Sequence, residues 1–83
     1  MKYYIHHYQD GEITAYAEEG RNCLYLHSGT DGEEWSTNRH PSISANWESC
    51  SKEEWAAACE DILRRYRGPF ENIIRADIED FME

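Results

Sequence analysis

The hydrophobic period of this chain changes near residue 50. Before that point, apolar and aromatic side chains fall in short alternating runs divided by glycine-containing turns; after it, they recur every three or four positions. Side chains alternate faces along a strand and repeat every 3.6 residues on a helix. A chain that spends its strands first and its helices second cannot build a βαβ parallel sheet. It is confined to an α+β arrangement, with the helices gathered on one side of an antiparallel sheet.

In the first half, Tyr3 to Tyr8 is a β-rich run followed by Gln9-Asp10-Gly11-Glu12, and Asp-Gly between two such runs signals a hairpin. Ile13 to Ala17 is the returning strand, and Glu18-Glu19-Gly20-Arg21 forms the next turn. Cys23 to His27 is a third strand, with Leu24 and Leu26 on one face and Cys23, Tyr25 and His27 on the other. Gly29-Thr30-Asp31-Gly32 turns the chain again, toward a short strand around Glu34 to Thr37. The stretch from Asn38 to Ser49 carries no clear period, and its Arg39-His40-Pro41 breaks any strand.

In the second half, Ser51-Lys52-Glu53-Glu54 fits a capping box, with Cys50 and Trp55 at the positions of a hydrophobic staple. Trp55, Ala58, Cys59, Ile62, Leu63 and Tyr66 form one apolar stripe. Arg64, Arg65 and Arg67 suit the negative end of the helix dipole, Gly68 is expected to stop the helix, and Pro69 to open a second one. Phe70, Ile73, Ile74, Ile78 and Phe81 are expected on the buried face of that helix, and its acidic C-terminus is expected to fray. The predicted fold is a three- or four-stranded antiparallel sheet, an N-terminal meander, with two C-terminal helices on one face, as a single domain over residues 1–83. The other sheet face is expected to be partly solvated.

At 83 residues the core is near the lower limit for independent folding, so the six Tyr, three Trp and two Phe supply much of the buried area. Three cysteines without a CxxC spacing argue against a disulfide framework or a zinc ribbon. No apolar segment is long enough to span a membrane and the N-terminus does not read as a signal peptide, so the expected location is the cytoplasm.

The chain carries 17 acidic against 8 basic residues, a formal net charge of −9. That charge repels nucleic acid and anionic membranes and attracts basic surfaces. Eight acids and three bases fall in the first fifty residues, the first helix is balanced, and the segment from Pro69 onward carries −4. The acidic candidates for partner binding are Glu71, Asp77, Glu79 and Asp80 on the last helix, and Asp10, Glu12, Asp31, Glu33 and Glu34 at the turns. Tyr4, Tyr8 and Tyr16 are the aromatic candidates, on the reasoning that exposed Tyr beside carboxylates makes a docking surface.

Against these stand weaker chemical candidates. His6 and His7 are adjacent on a strand and point to opposite faces, which does not favour shared metal ligation. Cys50, just before a helix N-terminus, is placed where a thiol pKa is lowered. Pairs such as Asp61 with Arg65 and Glu60 with Arg64 account for the arginines without a phosphate ligand. No nucleophile elbow, P-loop, GxGxxG or HExxH is present. The expected role is therefore non-enzymatic, with no cofactor and no metal.

In size and charge the chain resembles small acidic phage-encoded inhibitors of bacterial defence, including anti-CRISPR proteins and DNA mimics. The resemblance is one of general character and carries over no site. It implies an inhibitor, monomeric or homodimeric, that occupies the basic nucleic-acid-binding surface of a partner complex without itself touching nucleic acid or membrane. The alternatives are an accessory or regulatory subunit that binds through a tyrosine-rich sheet face, and a small Cys/His enzyme or metal protein.

Overall fold

A computed structural model describes residues 1–28, 35–37 and 47–83. The strands are β1 (Lys2–His7), β2 (Ile13–Glu19), β3 (Asn22–His27), β4 (Trp35–Thr37) and β5 (Glu48–Ser49), and the helices are α1 (Lys52–Arg65) and α2 (Glu71–Asp80). Every neighbouring strand pair is antiparallel, in the order β4-β3-β2-β1-β5. The expected meander is thus present, and a two-residue strand joins it at the free edge of β1. There Tyr4 pairs with Ser49 and Ile5 with Glu48, and the Cys50 N–H donates to the Tyr3 carbonyl at 3.0 Å.

The hairpin geometry follows from its turn residues. The Gly11 N–H donates to the Tyr8 carbonyl at 3.0 Å, and the Tyr8 N–H donates to the Glu12 carbonyl at 2.8 Å. Gly11 takes φ of 90°, which a side chain would resist, and the Asp10 carboxylate accepts the Glu12 N–H at 3.0 Å. The register that results aligns Ile5 with Ala15 and Leu26, and Tyr3 with Ala17 and Leu24. These rows face the helices.

The core joins Ile13, Ala15, Ala17, Leu24 and Leu26 of the sheet to Trp55, Ala58, Cys59, Ile62 and Leu63 of α1, with Ile74 of α2 and the adjoining Tyr66 and Phe81. Small side chains on central β2 let α1 approach the sheet closely. The fully buried Trp55 ring lies 5.1 Å from that of Tyr3. Its Nε1 has no hydrogen-bond partner among the described residues. An orphan donor of this kind costs about 1–3 kcal/mol, which the burial of a large aromatic ring offsets.

Helix α1 starts as its sequence specifies. The Ser51 hydroxyl accepts the Glu54 N–H at 3.1 Å, and the Glu54 carboxylate accepts the Ser51 N–H at 3.0 Å. Its end differs from expectation. The helix stops at Arg65, with Tyr66 in an extended conformation, so Gly68 does not terminate it. The Tyr66 side chain lies against Gly68, where any β-carbon would collide with its hydroxyl and ring. The Tyr66 hydroxyl accepts the Phe70 N–H at 3.2 Å, and Phe70 is the N-cap of α2, so Pro69 precedes the helix instead of lying in its first turn.

Helix α2 leans mainly on α1. Ile74 and Phe81 are buried and Ile78 is partly buried, but Ile73 is 52% and Phe70 46% exposed. The expected five-residue buried face is therefore too wide. A ten-residue helix resting on one neighbour is fixed by the i, i+4, i+7 series 74, 78, 81, and Ile73 is rotated out of that contact. The expected fraying of its last turn also gives way to specific anchors. The Phe81 carbonyl accepts the Tyr3 hydroxyl at 2.5 Å, and the Met82 carbonyl accepts Lys52 Nζ at 3.1 Å. These donors do what basic residues in the last turn would otherwise do.

Candidate functional site

The acids of α2 divide into committed and uncommitted groups. Arg75 donates from Nε to Glu71 Oε2 at 3.0 Å and from a terminal nitrogen to Glu60 Oε1 at 2.8 Å. Glu71 is thereby neutralised and α2 is tied to α1. Glu60 takes Arg75 rather than the expected Arg64, which pairs instead with Asp61. Asp61 also meets Arg65 at 3.2 Å, as the i, i+4 spacing predicts. Among the described residues, Asp77, Glu79 and Asp80 belong to no ion pair of this kind. Asp77 is half-buried, and burial, reinforced by the neighbouring Asp80 charge, holds its carboxyl above the ordinary aspartate range.

Two of these uncommitted acids, Asp77 and Asp80, share a helix flank with the unexpected apolar exposure. Ile73, Ala76, Asp77 and Asp80 follow i, i+3, i+4 and i+7, so they line one stripe, and Phe70 stands three residues ahead of it at the N-cap. The sequence pattern places Phe70 and Ile73 in the core, whereas both stand on the surface. The signal was the phase of the apolar positions, since 74, 78 and 81 already complete one face.

The turn acids behave differently. Asp10 is exposed, and its carboxylate accepts a backbone N–H of its own turn. Glu12 lies 3.5 Å from Arg65, whose guanidinium also donates to the Gly11 carbonyl at 2.7 Å. Glu12 is thus partly engaged in holding the hairpin to the end of α1. Tyr3, beside the end of α2, and Tyr8, at the hairpin, are separated by roughly 17 Å of strand. The Asp10–Glu12 group and the end of α2 accordingly stand toward opposite ends of β1. Asp31, Glu33 and Glu34 lie outside the described residues.

The outer sheet face carries a cross-strand row of tyrosines, Tyr4 opposite Tyr16 and Tyr16 opposite Tyr25. Trp47 lies beside this row, its ring 5.5 Å from Tyr16 and 5.9 Å from Tyr25, and Tyr4 is 6.0 Å from Tyr16. Tyr16 is consequently only 1% exposed, and its hydroxyl donates to Glu18 at 2.9 Å. Burial, with the Glu18 bond, pushes its phenol well up. Tyr16 is therefore a support of this face and not the exposed anchor expected. Tyr4 is half-buried, while Tyr8 is exposed.

The adjacent row aligns His6, Thr14 and His27. The buried Thr14 hydroxyl shares hydrogen bonds with the Tyr8 hydroxyl at 3.1 Å and with His27 Nδ1 at 3.0 Å. The Tyr8 ring meets both imidazoles edge-on, at 4.3 Å from His6 and 5.4 Å from His27. These contacts fix Tyr8 as a held aromatic rather than a loose one. Cys50 does not have the depressed pKa suggested by its place before α1. Burial, with Glu54 nearby, pushes its thiol up to about 11. Cys59 is raised further by its deep burial in the core. Among the described residues, no group of three His, Cys, Asp or Glu side chains is arranged to hold a metal ion. No helix among them is long and apolar enough to cross a membrane. No protein-family model, curated protein or solved structure matches the chain.

Proposed function

We propose that this chain is a non-enzymatic acidic protein-binding module that occupies a basic, nucleic-acid-binding surface of a partner protein. The observation that carries the reading is the concentration of uncommitted carboxylates, Asp77, Glu79 and Asp80, on a helix held at its start by Tyr66, at Arg75 by Glu60 and at its end by Tyr3 and Lys52. Carboxylates on a rigid element meet phosphate-binding Lys and Arg side chains without first being ordered, which favours both association rate and specificity. The size and charge shared with small phage-encoded defence inhibitors make a nucleic-acid-handling defence complex the class of partner.

The test is capture on immobilised protein from host lysate, followed by competition with nucleic acid. The captured protein elutes between low salt and about 0.5 M, where the Debye length has fallen below the spacing of the charges. A triple variant, Asp77→Asn with Glu79→Gln and Asp80→Asn, loses the capture. Capture that survives both high salt and the triple variant refutes the electrostatic reading. If that same capture is lost in Tyr8→Ala, the sheet face is the binding surface, as in an accessory subunit.

A further inference from the structure

We infer that the stripe Phe70–Ile73–Asp77–Asp80 receives an amphipathic basic segment of the partner, an aliphatic or aromatic side chain seating on Phe70 and Ile73 and a Lys or Arg reaching Asp77 and Asp80. This inference rests on the proposed function and specifies the partner's recognition element. Ile73 and Phe70 are 52% and 46% exposed, although the chain has few large apolar side chains to spare from its core. Asp77 and Asp80 lie about 6 and 10 Å along the helix axis from Ile73, one to two turns away. A segment with apolar and cationic side chains at helical spacing matches that interval. Ala76, exposed between Ile73 and Asp77, leaves a shallow step rather than a barrier between the two halves.

Charge decides among the occupants. A second copy laid antiparallel would bring its own Asp77 and Asp80 over Phe70 and Ile73, removing carboxylates from water without a partner. Laid parallel, it would oppose acid to acid along a segment that carries −4 from Pro69 onward. Nucleic acid and anionic lipid are repelled outright. A cation placed by Asp77 and Asp80 instead relieves their mutual repulsion.

The experiment titrates the isotopically labelled full chain with two synthetic peptides of equal positive charge, each of about four helical turns. One carries Leu at i, i+3, i+4 and i+7 spacing with Lys on the remaining face; the other has Gln in place of every Leu. The amphipathic peptide is expected to bind at least about tenfold more tightly. It should shift the amide resonances of residues 70–80, and it should lose that margin in Ile73→Asp and in Phe70→Ser. Both residues are exposed, and an acid at the third position of α2 suits its N-terminus, so the variants retain the fold. Equal affinity for the two peptides overturns this inference and leaves the acidic-module reading standing. Shifts centred on Tyr8 and His27, or a dimer by light scattering that Ile73→Asp abolishes, also overturn it. If neither peptide binds at low salt, the proposed function falls with it.

Discussion

At the scale of single residues, two positions owe their behaviour to a neighbour rather than to their own propensity. Gly68 invites reading as a helix stop, yet α1 has already ended at Arg65, and among the described residues the positive-φ glycines are Gly11 and Gly20. What Gly68 supplies is the absence of a β-carbon beneath the Tyr66 ring. Tyr66 is buried, and its hydroxyl holds the Phe70 N–H, so it cannot swing aside without releasing the start of α2. Gly68→Ala is expected to destabilise the protein by about 1–3 kcal/mol through overpacking, read by urea denaturation. An unchanged midpoint would show that Tyr66 relocates freely. Cys50 is the second case. A helix N-terminus lowers a thiol pKa only when the thiol remains solvated, and here burial and Glu54 dominate. With its pKa near 11 against a usual 9.0, Cys50 holds roughly 100-fold less thiolate than a free cysteine at the same pH. Alkylation by iodoacetamide near neutral pH should therefore be slower by about that factor and should accelerate as pH climbs toward 11. A rate equal to that of a free thiol would contradict the burial.

At the scale of elements, caps and anchors decide which local preferences survive. Ser51→Ala removes one half of the α1 capping box and should cost about 1 kcal/mol. The box also sets a pH dependence. The Ser51 N–H and hydroxyl hold the Glu54 carboxyl below the ordinary glutamate range. A depressed carboxylate pKa contributes stability above the unfolded-state value, and that contribution is lost as pH falls through the folded-state value. Acid denaturation of Glu54→Gln should accordingly show a shallower dependence on pH in that window, and an unchanged slope would remove Glu54 from the account. Tyr3 anchors the other end of the helical layer. Tyr3→Phe should cost about 1 kcal/mol and should accelerate amide exchange at Phe81 and Met82 more than at Ile62. Much of this architecture was legible in the sequence, because turns and the capping box are local signals. Asp10-Gly11 and Ser51-x-x-Glu54 act within four residues, and alternation in Cys23 to His27 put Leu24 and Leu26 together on one face, which the core covers. What was not legible depends on distant partners. The pairing of β5 with β1, the Trp47 ring beside Tyr16, the preference of Glu60 for Arg75, and the rotation that exposes Ile73 each join residues far apart or depend on where a helix comes to rest. The candidate site was legible in its acids; for its apolar half the sequence held only the phase of 74, 78 and 81, and where the helix comes to rest decided the exposure.

At the scale of the whole molecule, what matters about the −9 charge is where it is left unbalanced. The ion pairs of α1 consume Asp61, Arg64 and Arg65 locally, and Arg75 spans two helices to neutralise Glu60 and Glu71. Arg75 is the sole basic residue from Pro69 onward, and both carboxylates hold its guanidinium above the usual arginine range. The remaining acids of α2 repel one another and the rest of the surface, a cost the fold bears at low ionic strength. Salt screens this long-range repulsion, whereas the exposed pairs contribute little enough that their screening loses less. The melting temperature of the native protein should therefore rise as salt increases to about 0.3 M. Arg75→Gln leaves Glu60 facing Glu71 and adds one net negative charge. Its melting temperature at low salt should fall by roughly 1–4 °C relative to the native chain, a deficit that narrows as salt is added. A native melting temperature that instead falls with salt would mean that ion pairs outweigh repulsion. The carboxylates of α2 would then already be balanced within the fold, and the electrostatic drive toward a basic partner would be gone.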